Sequence, residues 1–165
     1  MGIRLLKPLD AEEYRNFRLE ALKNSPESFG STYEEEKENP LETYKDRFQS
    51  AKSFTFGAFE NKKLIGVVTL VKESKLKLKH KANIFAMYVC PKNRGIGIGK
   101  CLMVEAIKKA KELGGIEQIH LTVVSTNEPA KKLYSSLGFK VFGKEKRAMK
   151  LDKKYFDEDH MVLFL

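Results

Sequence analysis

The sequence predicts an α/β (α+β) fold: one mixed, mostly antiparallel sheet of about six or seven strands, flanked by helices. Three observations predict it. Residues 82–113, "ANIFAMYVCPKNRGIGIGKCLMVEAIKKAKEL", read as an apolar strand, a glycine turn and an amphipathic helix. Hairpin patterning precedes that unit in "SFTFGAFE", "NKK" and "LIGVVTLVKE". Strand patterning returns after it in "IEQIHLTVVST", "FKVFGKEKRAMKL" and "HMVLFL". At 165 residues the chain suits a single domain over 1–165, because two would each fall below a comfortable size.

The elements follow in order. "IRLLKP" has the spacing of a short first strand, ended by Pro8. Asp10 stands as the N-cap of a helix in "AEEYRNFRLEALKNS", with Glu13 at capping-box distance. Tyr14, Phe17, Leu19 and Leu22 supply its apolar stripe and Pro26 closes it. A polar loop carrying Phe29 and Gly30 leads to a second helix, "PLETYKDRFQSA", with Leu41, Tyr44 and Phe48 at helical spacing. After the hairpin, the alternation of Leu76 and Leu78 with lysines in "SKLKLKHKA" carries a strand partway into that segment. "NIFAMYV" is the central strand. The next helix starts at Ile98 or Gly99, faces inward through Leu102, Met103, Ala106, Ile107, Ala110 and Leu113, and stops at Gly114-Gly115. Pro129 fits the first turn of a short helix, "EPAKKLYSSLG". Two closing strands are expected, with "DKKYFDED" between them.

Composition narrows the function. The formal charge is +9, from 31 Lys and Arg against 22 Asp and Glu. The lysines are scattered, many beside glutamates, with no zinc-finger spacing, recognition-helix signature or aromatic single-strand platform. No specific nucleic-acid partner is therefore expected, although a nucleic-acid-binding protein remains an alternative; a basic surface also draws small polyanions. Cys90 and Cys101 make neither a disulfide framework nor a four-ligand metal site, and no metal is expected. "MGIRLLKPLDAEEY" lacks a secretory apolar region and no run approaches a membrane span, so a cytoplasmic protein without membrane attachment is expected. "MVLFL" packs inside the sheet or pairs with a second subunit, which leaves monomer and homodimer open.

The chemistry sits in "NRGIGIGK". Gly95, Gly97 and Gly99 permit tight backbone approach just before a helix, where unpaired N–H groups gather and can face an anion. Arg94 and Lys100 add mobile positive charge. A Walker motif fails because Cys101 follows Gly99-Lys100 where Ser or Thr is required. A dinucleotide fingerprint fails on glycine spacing and on its place past the middle of the chain. A glycine turn without a ligand is the ordinary rival.

Arg94-Gly95-Ile96-Gly97-Ile98-Gly99 resembles the Arg/Gln-x-x-Gly-x-Gly/Ala motif of the GNAT superfamily, the acyl-CoA-dependent N-acyltransferases. Asn127, Ala130, Leu133, Tyr134, Gly138 and Phe139 resemble its second block. The likeness is strongest over 82–142 and implies a GNAT-like fold. It implies an acetyl-CoA-dependent N-acetyltransferase acting on a primary amine of a small molecule or peptide, by direct attack in a ternary complex. Acetyl is the default acyl group, since nothing signals a long-chain tunnel. A non-catalytic acyl-CoA sensor is the alternative from another class.

The resemblance also implies roles. The pyrophosphate of acetyl-CoA would lie against Arg94, Gly95, Ile96, Gly97, Ile98, Gly99 and Lys100. Pantetheine would run along the backbone of Met87, Tyr88 and Val89, with a backbone N–H near Tyr88 or Val89 facing the developing oxyanion. Asn127 would bond pantetheine, or cap the helix behind it. Tyr134 would protonate the departing thiolate, its reference pKa near 10 keeping it protonated at neutral pH; a core tyrosine is the rival. "NIFAMYV" has no carboxylate for a base, so Glu27, Glu34 and Glu35 are the candidates to receive the amine, against an ordinary solvated surface. Phe29 and Tyr33 would shape the acceptor pocket or anchor the loop. His120 would reach the pocket edge or serve as a structural histidine.

Overall fold

The computed structural model describes residues Met1–Leu165. The chain opens with β1 (Gly2–Leu5), α1 (Ala11–Asn24), a single helical turn α2 (Tyr33–Glu36) and α3 (Leu41–Gln49). A hairpin of β2 (Ser53–Glu60) and β3 (Lys63–Lys72) precedes β4 (Lys81–Val89) and α4 (Ile98–Leu113). Then come β5 (Gln118–Val124), α5 (Glu128–Ser136), β6 (Lys140–Leu151) and β7 (Lys154–Phe164). All seven strands form one sheet ordered β1-β2-β3-β4-β5-β7-β6, the class and count that the sequence predicts. Only β4–β5 is parallel; every other neighbouring pair is antiparallel.

Helices cover both faces. On one, α4 buries Ile98, Leu102, Met103, Ala106 and Ala110, a stripe with helical period, in a cluster with Val68, Leu70, Ile119 and Met161. On the other, α1 buries Ala11, Tyr14, Phe17, Ala21 and Leu22 against Tyr44 of α3 and against Leu64, Val67 and Tyr88 of the sheet. Each such large apolar side chain contributes about 1.5–3 kcal/mol on burial. The β2–β3 hairpin closes through Asn61 and Lys62, both left-handed with φ of 49° and 65°, as a two-residue primed turn requires.

Three sequence expectations need correction. Asp10 does not cap α1: its carboxylate accepts two hydrogen bonds from Arg4 at 2.8 Å and one from the Lys7 N–H at 2.7 Å. That arrangement closes a 3-10 turn over Pro8–Asp10 ahead of the helix, and the Glu13 carboxylate accepts instead from the Leu64 N–H at 2.7 Å. The lysine-rich segment after Lys72 is not strand. It turns, with the Leu78 N–H donating to the Lys75 carbonyl, and Leu76 is 82% exposed, so its alternation buries no face. Finally, "KYFDED" belongs to β7, which pairs with β6 through a turn at Asp152-Lys153. Charged residues on the open sheet face conceal its alternation.

Leu102 is fully buried between α4 and the sheet, so Leu102→Ala should cost about 2–5 kcal/mol of folding stability, measured by urea denaturation. A loss below about 1 kcal/mol would mean the α4 contact is not tightly packed.

Candidate active site

The sheet is open at its centre. The parallel β4–β5 ladder holds for three residue pairs, Lys81↔Gln118 to Asn83↔His120, and then ends although both strands continue. The cause lies partly in β4. Val67 pairs with Tyr88 and Thr69 with Phe85, so Ala86 and Met87 both stand opposite Val68. This is a β-bulge, and Ala86 adopts φ 54° within it, a left-handed conformation costing about 1–3 kcal/mol. A cleft of about 1620 Å³ occupies the gap and reaches both sheet faces.

At one end of the cleft the chain leaves β4 and enters α4 through the glycine turn. Gly95 and Gly97 have φ of 80° and 89°, and a Cβ on either would meet no atom within 4 Å, so open space stands in front of both. Gly99 sits in a tighter place: a Cβ there would fall 2.9 Å from Met87 Cε and 3.2 Å from Leu133 Cδ2, so a side chain would have to displace those two side-chain ends. Met87, Tyr88, Val89, Arg94, Gly95, Gly97, Ile98, Gly99, Lys100 and Asn127 all line the cleft; Ile96 does not, and is 71% exposed. Arg94 is not a mobile charge, because its Nε donates to the Val89 carbonyl at 2.9 Å and its guanidinium lies 5.3 Å from the Tyr88 ring.

α5 forms the next wall. Asn127 caps it, its Oδ1 accepting from the Ala130 N–H at 3.3 Å. Tyr134 lines the cleft with its ring buried against Phe139, centroids 6.1 Å apart, and its hydroxyl makes no hydrogen bond within the chain. Burial pushes its pKa up to about 12. Buried Asp159 of β7 clamps the helix: it accepts from Ser125 Oγ at 2.7 Å and pairs with Lys131 Nζ at 3.1 Å. Lys131 also donates to the Ser125 carbonyl at 3.2 Å. The Ser125 hydrogen bond holds the Asp159 carboxyl below the usual carboxylate range; burial opposes that shift and Lys131 adds to it.

The opposite sheet face makes the second chamber. From the helical side come Glu27, Phe29, Arg18, Glu36 and Arg47. Phe29 packs on Tyr88 with centroids 5.7 Å apart and lies under the Arg18 guanidinium at 4.6 Å. Arg18 grips Glu36 with two hydrogen bonds, Nε to Oε2 at 3.0 Å and Nη2 to Oε1 at 2.7 Å. Burial alone would raise the Glu36 pKa, but Arg18 outweighs it and holds the carboxyl below its ordinary value. From the strands come His120, Phe142, Glu145, Glu158 and His160. Glu145 and Glu158 are direct cross-strand partners, and His160 Nε2 lies 3.5 Å from Glu145. Burial first, and then the Glu145 charge, raises the Glu158 pKa. His120 Nε2 lies 2.9 Å from Gln118 Oε1, and burial, then Lys81, lowers its pKa.

The structure thus brings Glu27 and Phe29 to the cleft and leaves Tyr33, Glu34 and Glu35 off its lining. Tyr33 stacks under Lys23 Nζ at 4.2 Å, and the Glu35 carboxylate accepts from Thr32 N and Oγ1 in a capping box of its own helical turn. Sequence reading missed Arg18, Glu36, Arg47, Glu145 and Glu158. The Thr32-x-x-Glu35 capping box was a readable signal that Glu35 is engaged locally; the other residues meet only through tertiary folding.

Fold and cleft together define a class of α/β domain whose central sheet is parted between two parallel strands beside a glycine turn. The chain belongs to the GNAT acetyltransferase family, since the family model described as "Acetyltransferase (GNAT) domain" matches residues 3–161. A curated relative, the N-alpha-acetyltransferase of Sulfurisphaera tokodaii, is 36% identical over 63 residues, which spans only 38% of either chain. Among solved structures, an acetyltransferase of the GNAT family from Streptococcus pneumoniae superposes with a TM-score of 0.84 at 24% identity, over 99% of both chains. The structure of yncA from Salmonella typhimurium with its cofactor acetyl-CoA superposes with a TM-score of 0.82 at 20% identity, over 99% of this chain and 93% of that one. These two likenesses carry the fold. No helix is long and apolar enough to cross a membrane, and no group of three or more His, Cys, Asp or Glu is placed to hold a metal ion.

The Asp159 clamp is acid-sensitive. A carboxyl whose pKa is lowered by folding stabilises the fold above its unfolded value near 3.9, and that stability is lost as pH falls through the folded value. Asp159→Asn should lower the thermal midpoint at pH 7 and flatten part of its fall below about pH 4, read by calorimetry across that range. An identical pH slope in both proteins would mean the clamp is not electrostatic.

Proposed function

We propose that this chain transfers an acetyl group from acetyl-CoA to a primary amine of a small molecule or peptide, by direct attack in a ternary complex. The observation that carries this reading is the cleft through the sheet, with an anion cradle at one mouth and a separate polar chamber at the other. A protein that only sensed acyl-CoA would have no use for the second chamber. When bound, acetyl-CoA supplies the activated thioester.

The chain's own residues divide the remaining work. Backbone N–H groups over Arg94–Lys100, at the positive end of α4, hold the pyrophosphate. The backbone of Met87, Tyr88 and Val89, released from pairing with β5, binds the pantetheine amides, and Asn127 assists through the side-chain nitrogen that its capping role leaves unused. An N–H near Tyr88 or Val89 stabilises negative charge developing on the acyl oxygen. Both reactants are thereby held in one orientation. Glu27, Glu145 and Glu158 face the acceptor's ammonium; Glu158, with its raised pKa, is suited to take the proton that leaves nitrogen before attack. Tyr134, protonated throughout the neutral range, donates a proton to the departing sulfur.

The test is acetyl-CoA turnover across panels of small amines and peptides, with product masses recorded. Acceptor-dependent acetylation is expected; tight CoA binding with no acetylated product across the panels would overturn the reading. Tyr134→Phe should lower kcat by about 100-fold or more while leaving acetyl-CoA affinity near wild type. Equal kcat would remove Tyr134 from the mechanism. Gly97→Val forces a β-branched residue to φ 89° and should weaken acetyl-CoA binding by about ten-fold or more in a folded protein, measured by calorimetry. Preserved affinity would argue against the cradle.

A further inference from the structure

Three arginines line the cleft, and their partners differ. Arg94 is tied to the Val89 carbonyl, and Arg18 is held by both oxygens of Glu36. Arg47, in the last turn of α3, makes no side-chain hydrogen bond and no ion pair within the chain. It is half-buried, with the Tyr44 ring 5.5 Å from its guanidinium carbon. A guanidinium carries five donors and stays charged at every working pH. The Glu36 carboxylate acts on Arg47 only through its charge, while both its oxygens accept hydrogen bonds from Arg18.

We propose that Arg47 binds a carboxylate carried by the acceptor, so that the substrate of this chain is a small primary amine bearing a carboxylate. The planar fork of an arginine matches a carboxylate through two parallel hydrogen bonds, which fixes orientation as well as charge. The rest of the chamber fits such a molecule. Phe29 and Phe85 line the same cleft and offer apolar surface to its body. Glu145 and Glu158 stand on β6 and β7, across the sheet face from α3, and meet its ammonium. Arg47 thus supplies a positive group with no direct carboxylate partner on the acceptor side, against the carboxylates of Glu27, Glu145 and Glu158. A zwitterionic acceptor satisfies both signs at once, and a simple alkylamine or polyamine leaves Arg47 unpaired.

This inference rests on the acetyl-transfer reading above, and the experiment separates the two. Acetyl-CoA turnover is measured with matched acceptors: free α-amino acids, their carboxamides and their decarboxylated amines, together with short peptides bearing an acidic residue near the N-terminus. The wild type should prefer the carboxylate over the carboxamide by at least about ten-fold in kcat/KM. Arg47→Met should bring that ratio toward one, and Arg47→Lys, which keeps charge but loses the fork, should retain part of it. Acetyl-CoA affinity and the thermal midpoint serve as folding controls. No preference in the wild type, or a preference unchanged in Arg47→Met, overturns the proposal. Selective acetylation of the acidic peptides over free amino acids also overturns it, since the acceptor is then not small. If the wild type acetylates nothing, the transfer reading falls. Arg47 is then judged by calorimetric binding of the amino acids to the CoA-saturated protein: binding lost in Arg47→Met supports the site, and absent or Arg47-independent binding sinks it.

Discussion

The separation of β4 from β5 is the constraint on which the rest of this structure depends. Two parallel strands that pair for three residues and then part leave backbone donors and acceptors without partners in the middle of a sheet, where they are costly to strand. The bulge at Ala86–Met87 sets the departure of β4, since the extra residue bends the strand and raises its local twist. Because the ladder is forgone, the sheet needs support elsewhere. β3 pairs with β4 along nearly its whole length, β7 pairs with β5 over all seven of its residues, and α4 packs across the β3 side of the gap. The opening is therefore framed by continuous antiparallel ladders on both sides, which lets it stay open without loosening the core.

Charge is distributed with the same division. The chain carries a formal +9, yet the cleft is not uniformly basic. Its glycine-turn end gathers Arg94, Lys100 and the start of α4, while carboxylates dominate the far side, with Arg18 neutralised by Glu36. Net charge steers anions toward the molecule, but local charge decides what each chamber holds. The close approach of Glu145 to Glu158 across β6 and β7 is unfavourable in the absence of a cation, as like charges directly opposite on a sheet are. Such an arrangement is tolerated where a ligand relieves it.

What the sequence discloses and what it conceals follow from the range of the interactions. The strand–glycine turn–helix at 82–113, the stop at Gly114-Gly115 and the Asn127 cap are local, so residue type and spacing suffice to read them. Asp10 shows the limit even at short range: its spacing to Glu13 obeys the capping rule, yet Arg4 on the preceding strand captures its carboxylate. The segment at 74–80 alternates like a strand but leaves Leu76 exposed and turns back through the Leu78 N–H to the Lys75 carbonyl. The acceptor chamber was least legible. Glu34 and Glu35 drew attention as a run of acids, whereas Glu36, one position on, reaches the cleft because α2 presents it to Arg18. Glu158 and Glu145 lie in strands whose pairing spans the whole C-terminal hairpin, and no local pattern marks them.

One side chain joins the two chambers. Tyr88 leaves β4 just after the bulge, and its ring meets Phe17 at 5.6 Å and Phe29 at 5.7 Å on the acceptor side. On the donor side the Arg94 guanidinium lies 5.3 Å from the same ring while its Nε holds the Val89 carbonyl. Phe29 in turn carries Arg18, and Arg18 carries Glu36. The glycine turn and the Phe29 loop are thus in contact through a short chain of stacked groups, buried or half-buried apart from the exposed Arg94. Packing of this density transmits displacement instead of absorbing it. The loop at Phe29 is therefore positioned by the same strand that leads into the glycine turn, because Tyr88 carries Phe29 and Phe29 carries Arg18.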